Sequence, residues 1–182
     1  MAEDLPTLVY RTALGDQRAF ERLYQATSPQ LYALAIAVLR NRELAQDTLQ
    51  EAFISVWHAA GSYNASKGSV QTWLNVIVRH RCIDRLRRQP RNETHFNDSE
   101  WANLEADGPT PLQHLVKDAD ARGLARCLNG LDGPQRDALT LAFFHGLTHS
   151  ELATHLKAPL GSIKSRVRRG LSSLRRCLHH DA

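Results

Sequence analysis

The sequence contains no long hydrophobic run. None of its apolar stretches approaches the ~20 residues that a helix needs to cross a bilayer. Its first residues, MAEDLPTLVYR, also lack the basic region and apolar stretch of a secretory signal. Hydrophobic residues still make up 42% of the 182 residues, enough for ordinary buried cores. We therefore expect a cytoplasmic protein.

Cysteine is scarce and shows no metal-binding spacing. The three residues Cys82, Cys127 and Cys177 form no closely spaced pair of the kind typical of zinc sites. Cys177, His179 and His180 are near one another, but such a group close to a chain end is more often solvated. The sequence has no phosphate-binding glycine loop and no nucleophile elbow. We therefore expect no metal, no cofactor, no small-molecule substrate and no catalysis.

Patterns typical of β-strands are almost absent as well. Apolar residues instead recur at three- and four-residue spacing, which predicts an all-α fold. Asp16, Asn41 and Thr148 stand where side chains can cap helix starts. A helix break is expected at Ser28-Pro29, because proline has no N–H to donate within a helix.

Charge is distributed unevenly, although the formal net charge is only +4. Arginines concentrate between Arg79 and Arg91 and again between Lys164 and Arg176, whereas acids, prolines and a glycine gather in the stretch that separates these two segments. This composition is typical of a linker. We predict two small helical domains, 1–90 and 115–182, joined by a flexible linker, 91–114. Two linked basic segments favour a long polyanion as partner.

The C-terminal domain has the pattern of a helix-turn-helix. Thr148 and Glu151 have capping-box spacing, and a turn over 157–160 leads to the last helix. In that arrangement the second helix enters the major groove of DNA. The plainer interpretation is a helical hairpin with a solvated basic face. The last helix is predicted to pack through one apolar stripe, formed by Ile163, Val167, Leu171, Leu174 and Leu178.

Two segments resemble the extracytoplasmic-function (ECF) group of RNA polymerase sigma factors in the sigma-70 family. Region 2 of that family is similar to AQDTLQEAFISVWHAAGSYNASKGSVQTWLNVIVRHRCIDRLRR, and region 4 to LDGPQRDALTLAFFHGLTHSELATHLKAPLGSIKSRVRRGLSSLRR. Both occur in the family's order, separated by a linker of the family's length. The resemblance implies a protein that binds RNA polymerase core and directs transcription from specific promoters, and that is not an enzyme.

The resemblance also implies three binding surfaces. An acidic and aromatic surface would dock on the clamp helices of the polymerase largest subunit, and it comprises Asp47, Gln50, Glu51 and Trp57. A polar and basic surface would bind and melt the −10 promoter element, and it comprises Ser62, Tyr63, Asn64, Lys67, Asn75, Arg79, His80, Arg81, Asp84 and Arg85. A third surface would bind the −35 duplex, and it comprises Ser162, Lys164, Ser165, Arg166, Arg168 and Arg169.

Several residues also have a structural interpretation. Trp57 is expected to lie partly in the core, and Trp73 is expected to be a buried anchor. Asp84 has the spacing to pair with Arg81 or Arg88 along one helix. Pro159 stands where the family commonly has a small capping residue, so the local capping oxygen is missing and we expect the start of the last helix to be shifted.

The resemblance implies a further partner, and the helix-turn-helix pattern leaves an alternative function open. Family members are usually held inactive by an anti-sigma protein, often membrane-bound, so the resemblance implies such a partner here. The alternative is a helix-turn-helix regulator that acts without polymerase core. That alternative explains only the C-terminal half of the chain.

Cys127 and Cys177 lie near the start and the end of the C-terminal domain. In a compact four-helix unit these places can be neighbours, because the last helix must pack on the earlier ones. Two possibilities stay open. They are two free cysteines, as a reducing cytoplasm favours, or a conditional disulfide that rigidifies the domain and changes its grip on an inhibitor. Cys82 is expected to stay outside the pair.

Overall fold

The computed structural model describes residues 3–88 and 119–180. Within these ranges the chain is almost entirely helical and has no β-strand, which confirms the all-α prediction. The chain divides into two compact units, Met1–His95 and Phe96–Ala182. The predicted linker, 91–114, lies outside the described residues.

Between residues 3 and 88 the first unit has four α-helices. They are α1 (Leu5–Ala13), α2 (Gln17–Leu39), α3 (Arg42–Ala59) and α4 (Val70–Arg88), with two short 3-10 turns between α3 and α4, Ala60–Ser62 and Ala65–Lys67. Asp16 caps α2 by accepting from the backbone N–H groups of Arg18 and Ala19. Asn41 caps α3 by accepting from Leu44 N at 2.9 Å. Helices α2, α3 and α4 pack on one another and enclose the core of this unit.

Helix α1 was not predicted as an element. Asp4 caps it by accepting from Thr7 N at 3.0 Å, and a proline follows in its first turn. At its other end, Arg11 donates from Nε to Asp16 Oδ2 at 2.9 Å. This hydrogen bond from Arg11 is the main reason why the pKa of Asp16 lies below its ordinary value. The end of α1 is thereby joined to the cap of α2.

The predicted helix break at Ser28-Pro29 is wrong, since α2 continues through Pro29 to Leu39. Pro29 is exposed, so the backbone carbonyl that its ring deprives of a partner can bind water. The buried side of the helix is uninterrupted: Leu23 and Thr27 precede the proline, and Leu31 follows it. Burial along both halves of α2 therefore outweighs the local preference of proline to end a helix.

The second unit contains α5 (Ala119–Asn129), α6 (Gly133–Phe144), α7 (His149–His155) and α8 (Leu160–His180). The capping box before α7 is complete. Thr148 N donates to Glu151 Oε2 at 2.7 Å, and Glu151 N donates to Thr148 Oγ1 at 3.3 Å. Helices α6, α7 and α8 meet in a small core formed by Leu141, Leu147, Leu152 and Ile163.

The predicted apolar stripe of α8 is only partly correct. Ile163 is buried and Val167 packs on the core, but the side chains of Leu171 and Leu178 are 54% and 38% exposed. Gly170 and Cys177 lie on the packed face instead. The helix is turned so that Gly170 faces α6 and Cys177 faces α5, and this rotation leaves Leu171 largely exposed and Leu178 partly exposed.

Candidate functional site

Helix α3 presents one polar face and buries the other. Asp47, Gln50 and Glu51 are exposed along the polar face. On the opposite side, Phe53 is buried in the core. Trp57 is half-buried, and its ring meets the ring of Phe20 edge to face at a centroid distance of 5.1 Å. The predicted partly structural role of Trp57 is confirmed, while the three polar side chains remain accessible to a partner.

A groove runs beside this face, between α3 and α4. It encloses about 490 Å³ and is lined by Glu51, Ile54, Ser55, His58, Ala59 and Arg81. Ile54 is 60% exposed. The sequence prediction missed Ile54 and His58, although a helical spacing of four from Gln50 to Ile54 and from Ile54 to His58 was available as a signal. An exposed apolar side chain in an open groove flanked by charges can anchor a protein partner.

Two arginines predicted for −10 DNA lie against α3. Arg81 donates from Nε to Ser55 Oγ at 3.0 Å. Arg85 donates from Nη1 to Glu51 Oε1 at 3.4 Å. The structure therefore places these arginines beside the acidic face of α3 and next to the groove.

The loop between α3 and α4 uses several of its polar side chains to hold its own shape. Tyr63 donates from its hydroxyl to Gly68 O at 3.1 Å, and its ring lies 5.5 Å from that of Trp73. Asn64 Oδ1 accepts from both the backbone N–H and the hydroxyl of Ser66. Ser62 and Lys67 are exposed. The loop is thus locally ordered and presents a cation at its tip.

Other residues predicted to bind −10 DNA lie on α4, which begins after this loop. Gln71, Asn75 and Arg79 succeed one another at a spacing of four and share one line of the helix. Gln71 donates from Nε2 to Asn75 Oδ1 at 3.1 Å. Burial, and to a smaller extent the charge of Arg87, lowers the pKa of Arg79. His80 and Asp84 are exposed. Arg79 and Arg87 are thus close enough for their charges to interact.

The first half of α8 carries the third predicted surface. Ser162, Lys164, Arg168 and Arg169 are exposed, and Ser165 and Arg166 are half-buried. Helix α8 begins at Leu160, immediately after Pro159, whose carbonyl accepts from Ile163 N at 3.1 Å. The helix start thus forms without a small capping residue. Buried Ile163 attaches this half of the helix to the core and leaves the basic side chains outside.

The structure joins Cys127 of α5 to Cys177 of α8 in a disulfide, with Cα atoms 5.7 Å apart. Cys82 is a buried free thiol of the other unit, and burial raises its pKa to about 12. Within residues 3–88 and 119–180 no group of three or more His, Cys, Asp or Glu side chains is placed to hold a metal ion. None of the helices in the same ranges is long and apolar enough to cross a membrane.

Comparison with known proteins identifies both units. The model of sigma-70 region 2 matches residues 23–92, and the model of sigma-70 region 4 matches residues 127–176. The chain is 33% identical to the ECF RNA polymerase sigma factor SigK of Mycobacterium ulcerans, over 97% of this chain and 95% of that protein. It is also 33% identical to SigK of Mycolicibacterium vanbaalenii, over 96% of this chain and 89% of that protein.

Among solved structures, CnrH in complex with the cytosolic domain of CnrY aligns with 98% of this chain over its own full length, at 22% identity and a TM-score of 0.42. The sequence matches carry the assignment, because they span both helical units in order and nearly the full length of the relatives. The chain therefore belongs to the ECF group of RNA polymerase sigma factors in the sigma-70 family.

Proposed function

We propose that this sigma factor binds RNA polymerase core and directs initiation at promoters that it recognises through two separate surfaces. Residues 1–90 would bind core and the −10 element, residues 115–182 would bind the −35 duplex, and 91–114 would link them. The observation that carries the proposal is the exposed basic half of α8, which directly follows a capped short helix. Sigma factors are initiation factors and not enzymes, so no catalytic group is required.

The −35 surface would be the first half of α8. Lys164, Arg168 and Arg169 are exposed there, and no acid occurs between Lys164 and Arg176. Such cations can bind phosphates or the major-groove edge of guanine. The small hydroxyl residues Ser162 and Ser165 would allow the helix to approach the base edges closely. The absence of negative charge along this face supports DNA as its partner.

The −10 surface would consist of the loop after α3 and the polar and basic residues of α4, among them Asn75, Arg79 and Arg85. A melted strand needs cations for its backbone and polar groups or rings for unstacked bases. Lys67 and Arg79 would supply the charge, while Asn64 and Asn75 offer amide groups. Tyr63 already binds Gly68 and packs near Trp73, so we propose that it shapes the pocket more than it stacks on a base.

The polymerase surface would be the polar face of α3. Asp47, Gln50 and Glu51 would complement basic side chains of the clamp helices, with Trp57 at the end of the face. We add Ile54 to this set, because its exposed side chain lies in the adjoining groove. An apolar anchor surrounded by charges is the usual composition of a protein interface.

An inhibitor is also part of the proposal. The family assignment supports an anti-sigma protein as a partner, and we propose that this partner is tethered to the membrane while the sigma factor acts in the cytoplasm. The neighbouring gene gives a direct check. A short helical segment followed by one apolar span of ~20 residues would have the composition of a tethered inhibitor.

A reconstituted run-off assay tests the main proposal. The protein should give promoter-specific transcripts only with core, and alone it should bind duplex promoter DNA weakly, because the −10 contacts need an opened strand. Equal promoter-specific binding with and without core would instead support a helix-turn-helix regulator that needs no polymerase.

A further inference from the structure

Gly170 is buried within α8 and faces α6. A methyl group on Gly170 would lie 2.8 Å from Cδ1 and 3.3 Å from Cγ of Leu139, and 3.5 Å from Cβ of Gln135. Carbon atoms in favourable contact are ~3.5 to 4.0 Å apart. Because Cγ of Leu139 is also too close, rotation of its methyl tip alone would not make room. An alanine at position 170 would therefore fit only if the Leu139 side chain, or α6 itself, moved.

Local backbone conformation does not explain this glycine. Gly15, Gly68 and Gly146 have positive φ angles, but Gly170 is not among the positive-φ residues. Glycine is also the least favourable residue after proline in a helix interior. The close approach to α6 is the remaining structural reason for a glycine at this position.

Gly170 is the middle one of three points that hold α8. Ile163 lies in the core with Leu152, Gly170 meets Leu139, and Cys177 is bonded to Cys127. These points recur every seven residues, which places them on one face at intervals of about 10 Å. A displacement at the middle point would bend or tilt the helix about the outer two. Residues 162–169, just before Gly170, would then change their direction.

We propose that Gly170 is a positioning residue for DNA recognition. Because Gly170 has no side chain, α8 can pack close to α6. This close packing sets the orientation in which the preceding basic residues enter the major groove. Gly170 itself touches no DNA in this arrangement, since it faces α6. The inference rests on the proposed function of α8, which is to bind the −35 duplex.

The test compares Gly170→Ala with Gly133→Ala in holoenzyme. Gly133 lies at the start of α6 in the same unit, outside the proposed DNA surface, and a methyl group there meets nothing within 4 Å. Each holoenzyme is titrated against a duplex promoter fragment that contains the −35 element and against a fork probe that contains only the −10 element. We expect Gly170→Ala to weaken binding of the −35 fragment about tenfold, as the loss of one good base contact would. Binding of the fork probe should not change, and Gly133→Ala should behave like wild type on both probes.

A second variant separates a steric cause from general destabilisation. Leu139→Ala removes the atoms that an alanine at position 170 would meet, so Gly170→Ala combined with Leu139→Ala should recover most of the lost −35 affinity. Wild-type affinity of Gly170→Ala alone, or a folded double variant that still binds weakly, would overturn the inference. If wild-type holoenzyme binds the −35 fragment no better than a fragment without that element, the proposed function of α8 fails, and the inference fails with it.

Discussion

Arg85 of α4 and Glu51 of α3 form an ion pair, with 3.4 Å between Nη1 and Oε1. One of these residues belongs to the proposed −10 surface and the other to the proposed polymerase surface. Both side chains are partly exposed, so the pair contributes only about 0 to 1 kcal/mol to folding. Its main consequence is that the two surfaces adjoin, and a change at Glu51 also releases Arg85.

Reversing the charge of the α3 face should weaken core binding. Asp47→Lys combined with Glu51→Lys places cations opposite the basic clamp helices, and we expect a loss of about 2 kcal/mol or more in binding free energy. Helicity should be unchanged, because both positions are exposed. Titration of labelled protein with polymerase core measures the effect. Glu21→Lys combined with Glu43→Lys is the control, since it changes the net charge equally at exposed positions outside the surface. Equal affinity of the two double variants for core would remove Asp47 and Glu51 from the interface.

Removing single cations from α8 should weaken −35 binding. If the side chains reach bases, Lys164→Ala and Arg169→Ala should each reduce the binding free energy by about 1 to 3 kcal/mol. If they reach phosphates, each variant should instead lower the slope of log binding constant against log salt concentration by about 1. Holoenzyme binding to −35 duplex at several salt concentrations distinguishes the two cases. Arg176→Ala is the matched control, because Arg176 is exposed on the same helix, near its other end, and donates to Ser173. If all three variants bind −35 duplex as tightly as wild type, the basic face of α8 is merely solvated.

The disulfide should stabilise the second unit. It closes a loop of 50 residues, and in the chain-entropy model this restriction of the unfolded state is worth roughly 4 kcal/mol. Reduction should therefore lower the denaturant midpoint of the second unit, as followed by circular dichroism. The double variant Cys127→Ser with Cys177→Ser should match the reduced protein and show no further response to reductant. Mass spectrometry after mild oxidation should find Cys127 linked to Cys177, whereas a link of either one to Cys82 would contradict the pairing.

Cys82 should be unreactive while the first unit is folded. Burial raises its pKa to about 12 from an ordinary value of 9.0, so the native thiol stays protonated and iodoacetamide should label it only after unfolding. The folded state holds this proton more tightly than the unfolded state. Its contribution to stability is therefore complete below about pH 9 and is lost as the pH rises towards 12. The difference in unfolding free energy between wild type and Cys82→Ala should shrink over that interval. Rapid labelling of native protein at pH 8 would show that Cys82 is accessible.

Helix starts and family membership could be predicted from the sequence alone. Asp16, Asn41 and Thr148 each cap the helix predicted for them, because a cap depends on residues three or fewer positions apart. The two region motifs likewise depend on local residue order, so the residues themselves were sufficient to indicate the all-α fold and the family.

Other features depended on contacts between distant segments. Pro29 stays inside α2 because both halves of that helix are buried against its neighbours. Arg81 and Arg85 face Ser55 and Glu51, which lie 26 and 34 positions away in the chain. A charge pattern along one helix indicates which residues are basic, but only packing decides which neighbours they meet.

Helix α8 shows the same division most clearly. Its period and basic composition were evident in the sequence, and they predicted an amphipathic helix with a leucine stripe. Tertiary structure decided its rotation, because close contact with Leu139 and the bond to Cys127 turn Gly170 and Cys177 inward and leave Leu171 exposed. Hydrophobicity ranks leucine above glycine for burial, but the space between two helices depends on the shape of both, and that shape exists only after they have packed.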